Sequence, residues 1–399
     1  MAVPARKRVL YVSASIGLGH VTRDVAIAGE LRRMVPGLEI DWLAAPPATE
    51  YLRAAGETLL PEAASYADVT AQAEKMAKLG GLNVTLFALK VRKQWEANAR
   101  LTLDIVKRGG YDLVVGDETY DLIIALADDP TLIGSTRLAI LYDWVGLDRV
   151  GWHPLEILGV TLFNRKMAKP PTAFTAIFLG ELDDVPDEPF GPFLPSRRAF
   201  TEDYFKVVGY PLHFDPAAYA DRRGLKRVLG YGEEEPLVLA SIGGTAVGKE
   251  LLERCAEAFP LLQERVPELR MVLVCGPRLP VDSVIAPPGV EVRGYVPDLY
   301  RHLAACDVAV VQGGGTTTLE LTALKRPFLY FPLEKHFEQL ADVAPRCQRH
   351  RAGEMHLLRQ TPSALMAERV LSLLDREVDY LDIRTDGATK AAEVIAELL

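Results

Sequence analysis

The residues best equipped for chemistry in this 399-residue chain stand in one short stretch, Gln312-Gly313-Gly314-Gly315-Thr316-Thr317-Thr318-Leu319-Glu320. Three glycines let the backbone turn tightly and approach a ligand with no Cβ in the way. The threonines offer hydroxyls and amide N–H groups where Leu319 to Leu324 begins to wind. A helix start with free amides attracts an anion, and phosphate is the usual one. Glu320 lies further along that helix, and a carboxylate suits a ribose diol. Gln339 follows the next strand, and its carboxamide suits sugar hydroxyls. Together these groups fit a nucleotide diphosphate that bears a sugar. A tight strand-to-helix turn that binds nothing is the plain alternative.

The flanking elements must place these groups on one edge. Asp307 to Val311 is a short β-branched run of the kind buried in a parallel sheet, and Lys325 to Pro332 supplies a second strand. Glu320 and Gln339 then fall at the carboxyl ends of neighbouring strands, where open α/β sheets bind ligands. The first half begins in the same way. Val9 to Ser13 reads as a strand, Gly17-Leu18-Gly19-His20 as a turn, Thr22 to Met34 as a helix and Leu38 to Ala44 as a second strand. That is a β-α-β unit. A dinucleotide fingerprint would need a third glycine where Thr22 stands. Tyr111 to Asp117 is another buried strand, ending in Asp117 and Glu118. Ala64 to Arg108 reads as mostly helical, and Asp183 to Pro195 as loop. The βα pattern restarts at Pro236 with Leu237 to Ile242 and then Gly243-Gly244-Thr245. Gly243 through Gly248-Lys249 imitates a phosphate-binding P-loop, but Glu250 stands where the magnesium-holding Ser or Thr belongs.

The Gly-Gly-Gly-Thr turn, Glu320, the strand from Pro327 to Pro332 and Gln339 resemble the donor half of GT-B glycosyltransferases. The nearest likeness is to the GlcNAc transferase that forms lipid II and to the UDP-glucuronosyl and plant UDP-glycosyltransferases. The resemblance extends over both halves. It implies an α/β fold with two Rossmann-like parallel-sheet domains facing across a cleft. Residues 1–208 would bind the acceptor, 209–385 the nucleotide-sugar donor, and the helix in 386–399 would return to the first domain.

The resemblance also assigns roles. Gly17-x-Gly19-His20 matches the superfamily's N-terminal loop, with Gly17 and Gly19 near the donor and His20 as the base that takes a proton from an acceptor hydroxyl. Asp117 matches the aspartate that orients such a histidine in the plant enzymes. In plainer readings His20 caps the first helix, and Asp117 caps a helix over 119–127. Arg23 either faces a phosphate or pairs near Asp24. Ser241, Gly243, Gly244 and Thr245 would approach the donor diphosphate, and Gly313 to Thr317 would stabilise it as it departs. Tyr295 and Val296 would read the base through backbone groups, or form an ordinary strand-to-helix turn.

The implied activity is inverting, metal-independent transfer from a nucleotide sugar, UDP-linked in the first instance, to a hydroxyl of a lipid-linked or small-molecule acceptor. No cofactor is implied, because the nucleotide sugar is a substrate. A nucleotide-sugar epimerase using Asp117 and Glu118, or a non-catalytic nucleotide-sugar binder, are the alternatives.

Composition narrows the classes further. A net charge of −9 and a pI near 5.4 argue against a nucleic-acid partner. The four cysteines, Cys255, Cys275, Cys306 and Cys347, form no C-x-x-C pair and read as buried thiols of a reducing, cytoplasmic protein. No apolar run reaches the ~20 residues of a membrane span. Leu86 to Trp95 mixes apolar and basic residues, which suits either a core-packed helix or peripheral contact with the inner face of a membrane.

Overall fold

The structure, a computed structural model, describes residues 6–14, 18–69, 84–148, 154–244, 247–333, 338–374 and 376–399. It divides into two compact units. One runs to His213 and takes back Arg384–Leu399; the other is Phe214–Ile383. The division therefore falls after His213 rather than at the 208/209 position read from the sequence. The reason is local: Tyr210 N–H bonds Arg384 O (2.8 Å) and Gly387 N–H bonds Tyr210 O (3.2 Å), which ties the segment after Gly209 to the returning chain of the first unit.

The first unit runs β1 (Arg8–Val12), α1 (Gly19–Met34), β2 (Glu39–Leu43), α2 (Ala48–Ala54), β3 (Thr58–Leu59), α3 (Val84–Gly109), β4 (Leu113–Asp117), α4 (Tyr120–Asp128), β5 (Arg137–Tyr142), α5 (Pro154–Met167), β6 (Thr175–Phe178), α6 (Arg197–Tyr204) and β7 (Phe205–Val207). Its strands form one parallel sheet in the order β3-β2-β1-β4-β5-β6-β7. The strands are apolar on both faces, as parallel sheets covered by helices require. Val9 and Tyr11 enter one core with Trp42, Val115 and Leu141, whereas Leu10 and Val12 enter the other with Val114, Ile140 and Tyr142. The first core is closed by α1 and by the last helix of the chain, whose Ala388, Ala391, Ala392 and Ile395 are buried there.

The second unit runs α7 (Arg222–Val228), β8 (Leu237–Ser241), α8 (Lys249–Arg265), β9 (Arg270–Val274), β10 (Val290–Arg293), α9 (Leu299–Ala305), β11 (Val308–Val311), α10 (Gly315–Ala323), β12 (Phe328–Tyr330), α11 (Ala344–Arg349), β13 (Glu354–Met355) and α12 (Ser363–Leu373). Its parallel order is β10-β9-β8-β11-β12-β13. The returning helix, α13, is Gly387–Ala396.

Several boundaries differ from the sequence reading. The first helix begins at Gly19, so His20 lies inside it. Within 64–108, the described helix starts at Val84; Pro61–Ser65 is a short 3-10 turn, and residues 70–83 lie outside the described residues. The loop over 183–195 holds a 3-10 turn at Leu182–Asp184 and a bridge from Pro189 to Ser196. In the basic stretch of α3, Val91 is buried while Lys90, Arg92 and Lys93 are exposed. No described helix is long and apolar enough to cross a membrane. All four cysteines are buried, and none forms a disulfide.

Candidate active site

Each sheet has one place where its strand order reverses, and ligands of open α/β sheets bind there. In the first unit it lies between β1 and β4, paired in register from Val9–Leu113 to Val12–Gly116. The chain leaves β1 into α1, which carries His20, and β4 ends on Asp117. His20 Nδ1 lies 2.7 Å from Asp117 Oδ2. The helix cap is Leu18, with no side-chain bond, so neither plain reading describes these two residues. The bond joins His20 and Asp117 to each other.

Two residues of the cluster were not given this role by the sequence. Arg23, one turn after His20 on α1, donates to Asp117 Oδ1 (2.6 Å) through Nη2 and to Asp143 Oδ2 (2.7 Å) through Nη1. Asp143 follows β5, as Glu118 follows β4. The usable signal was an acid at the end of two adjacent strands and an arginine three residues after the histidine. Arg23 does not hydrogen-bond Asp24. That carboxyl takes Ser13 Oγ (2.5 Å) and Tyr11 OH (3.1 Å) instead.

Charge in this cluster is assigned by burial and partners. Burial opposes ionisation of Asp117 and Asp143. Arg23 foremost, with His20, outweighs it and holds both carboxyls below their usual range. Glu118 goes the other way: burial first, then the charge of Asp143 and the hydrogen bond to it, push it well up. Asp24 is likewise pushed well up, by burial and then by the Asp117 charge. Glu118 sits at φ 47°, a left-handed conformation that a non-glycine residue adopts at a cost. It stands 4.0 Å from His20 Nε2.

The contacts fix the tautomer. A 2.7 Å approach of Nδ1 to an ionised carboxylate requires a proton between them. Arg23 Nη2 also lies 2.8 Å from Nδ1, but as a neighbour and not a donor to it, since that nitrogen already carries hydrogen. Nε2 is left as the free basic nitrogen. The donor atoms of His20, Glu118 and Asp143 lie within 4.8 Å of one another. The positive charge there is supplied by the guanidinium ion-paired to Asp143, and we assign no metal to the group.

In the second unit the order reverses between β8 and β11, where Val311 pairs with Ser241. Gly313 turns the chain at φ 85° and Gly314 caps α10. The first intrahelical bond into this turn is Thr318 N–H to Gly314 O (3.1 Å), so the amides of Gly315, Thr316 and Thr317 precede it. Those residues are half-buried, as are Gly314, Gly243 and Gly244. Ser241 is buried, and its hydroxyl accepts Gly243 N–H (3.2 Å), which shapes the turn after β8. Gly17 and Thr245 lie outside the described residues. Lys249 pairs with Glu253 (3.0 Å) along its own helix, away from the P-loop role.

Glu320 is buried on α10, and burial raises its carboxyl to about 8. Gln339 opens a π-helical turn over Gln339–Val343, and its Oε1 accepts Leu333 N–H (2.7 Å). Arg346, which the sequence reading did not single out, donates to Gly315 O (2.7 Å) and Thr318 Oγ1 (3.2 Å) at the start of α10. Tyr295 is exposed and Val296 half-buried, in the turn between β10 and α9.

Residues 238–399 match the Glycosyltransferase family 28 C-terminal domain. That likeness covers the second sheet from β8 onward and the returning helix. An uncharacterized glycosyltransferase of Methanopyrus kandleri is 25% identical over 48% of this chain, which spans only about half of that relative (54%). The UDP-N-acetylglucosamine–N-acetylmuramyl-(pentapeptide) pyrophosphoryl-undecaprenol N-acetylglucosamine transferase of Verminephrobacter eiseniae is 26% identical over 82% of this chain and 78% of its own length. Among solved structures, a spinosyn rhamnosyltransferase complexed with thymidine diphosphate superposes with a TM-score of 0.55 at 18% identity, covering 98% of this chain and 95% of the other. The fold is GT-B, as the resemblance in the sequence implied, and the matched stretch 238–399 contains the whole glycine–threonine turn, Glu320 and Gln339.

Proposed function

We propose that the protein is an inverting, metal-independent glycosyltransferase that moves a sugar from a nucleotide diphosphate sugar to an acceptor hydroxyl. The observation that carries this reading is the His20–Asp117 pair, 2.7 Å apart and buried at the switch point of the first sheet. The acceptor oxygen donates its proton to His20 Nε2 and attacks the anomeric carbon. The bond from that carbon to the diphosphate breaks on the opposite side, and its electron pair leaves with the diphosphate. A single displacement of this kind inverts the anomeric centre. Asp117 holds the imidazole in the Nδ1–H tautomer and stabilises the imidazolium. The amides and hydroxyls of Gly314 to Thr317 take the charge of the departing diphosphate, with Gly243 and Gly244 beside them. Glu320 takes the ribose diol, Gln339 the sugar hydroxyls, and the Tyr295–Val296 backbone the base.

UDP is the favoured nucleotide, supported by the name of the Verminephrobacter relative. The thymidine diphosphate bound to the rhamnosyltransferase makes dTDP the comparison. The acceptor is lipid-linked or a small molecule, and exposed Lys90, Arg92 and Lys93 suit contact with an anionic membrane surface. Both oxygens of Asp117 are committed to His20 and Arg23, which disfavours an epimerase using that carboxylate on a sugar.

Calorimetric titration of UDP, dTDP and GDP into wild type and Glu320→Ala tests the donor half. Tight binding of one pyrimidine nucleotide, weakened in the variant, is expected. No nucleotide binding at all would overturn the reading. Nucleotide release that depends on an added acceptor separates transfer from epimerisation, which needs none.

A further inference from the structure

The imidazole–carboxylate pair of the first unit is not isolated. A largely buried guanidinium lies against it, and a second carboxylate lies against the guanidinium. An arginine 2.8 Å from the ring of a general base is unfavourable for that base, because it opposes the imidazolium. The arrangement makes sense only with the opposing charge included.

We propose that Arg23 and Asp143 are positioning residues that set the proton affinity of His20 from opposite sides. Arg23 clamps Asp117 and with it the Nδ1–H tautomer, while Asp143 offsets the guanidinium so that Nε2 still takes a proton. The proposal deepens the reading of His20 as the base and rests on it.

The charges facing His20 come from four elements. α1 contributes Arg23 and Asp24, the end of β4 Asp117 and Glu118, α4 the Tyr120 hydroxyl on Glu118 (3.2 Å), and the end of β5 Asp143. Tyr11 and Ser13, from β1 and just beyond it, face Asp24. Burial foremost pushes Asp24 and Glu118 toward their neutral forms. The groups in direct contact at the ring are one guanidinium and two carboxylates. Removing the arginine leaves a double negative beside the ring. Removing the Asp143 charge leaves a ring beside a self-cancelling pair. Removing both restores the original balance with one carboxylate.

Full-length protein labelled with 15N at its imidazoles tests this, with His20→Gln to assign the resonance. The wild type is expected to show the Nδ1–H tautomer for His20. Arg23→Met should raise the titration midpoint by about one pH unit and Asp143→Asn should lower it by about as much. The double variant should return it close to wild type. Arg23→Met strands the buried Asp117 and the partly buried Asp143 and can fail to fold. In that event Asp143→Asn and the double variant still decide the matter, since the double variant has no stranded pair. Midpoints that stay fixed, or that move in the same direction in both single variants, overturn the proposal, and so does an Nε2–H tautomer in the wild type. The measurement uses no donor or acceptor. A failure to transfer sugar would therefore sink the enzymatic reading and leave this coupling standing, and the reverse also holds.

Discussion

At the switch point of the first sheet the polar groups are ionised side chains: an imidazole, a guanidinium and two carboxylates linked over contacts of 2.6–2.8 Å. At the switch point of the second they are mostly backbone amides and hydroxyls, set by Gly313 and Gly314 and by Ser241. The topology is the same and the chemistry is opposite. A group that must gain and lose a proton needs its charge balanced by fixed neighbours in every state. A site for an anion draws chiefly on the dipoles of a helix start, because the ligand brings its own charge, and here the Arg346 guanidinium stands at that start. Glu320, on α10, is held neutral by burial near pH 7, so it does not repel an incoming diphosphate.

If the two regions divide the work in this way, variants in each should move different quantities. His20→Ala should lower the transfer rate by about 10²–10⁴-fold, the usual worth of a positioned base, and leave nucleotide affinity unchanged. Glu320→Ala should weaken nucleotide binding about two- to tenfold, the range for a neutral hydrogen bond, and leave the His20 tautomer untouched. Steady-state kinetics beside calorimetry reads both. A histidine variant that also loses the nucleotide would break the comparison at its strongest point.

A smaller effect separates the regions by pH. Burial raises Glu320 from the ordinary 4.5 to about 8. A raised carboxyl binds its proton more tightly in the folded state, so its contribution is complete below about 4.5 and is lost as pH rises through about 8. In that window each pH unit costs about 1.4 kcal/mol of stability. Glu320→Gln carries no such titration. Its Tm should match wild type near pH 4.5 and exceed it increasingly up to about pH 8, with no further gain beyond. Parallel melting curves across that range would show that the carboxyl is solvated in solution and that the second site is not the neutral one.

Much of this difference was legible in the chain, but unequally. The glycine–threonine turn, Glu320 and the strands around them announce themselves because backbone sites need glycine at fixed places, and glycine is visible in a sequence. His20 and Asp117 were visible through a family likeness. Arg23 was singled out without its partners and Asp143 not at all, although each stands within a few residues of an element that was read well. Their role depends on two strands and a helix converging, over a separation of 120 positions, and no local pattern encodes that. The boundary after His213 was missed for a similar reason. The boundary was read at 208/209, but the backbone flanking Gly209 is bonded to residues near 384–387 that the local sequence does not mention.

The smallest effect tests whether the second site is truly made of backbone. Gly276 follows β9 at φ 73°, and a Cβ there would lie 2.1 Å from the carbonyl oxygen of Gly243. A backbone atom cannot swing aside as a flexible side chain does, so the turn after β8 must move. Gly56, in the first unit, has nearly the same φ of 76°, yet a Cβ there meets nothing within 4 Å. Both alanine variants carry the strain of a left-handed residue, about 1–2 kcal/mol, so their melting temperatures should fall alike from that cause. Only Gly276→Ala should also weaken nucleotide binding, because only there does the strain reach the Gly243–Gly244 turn. Equal affinity in the two variants would mean that this turn does not touch the nucleotide, and the diphosphate would then rest on the start of α10.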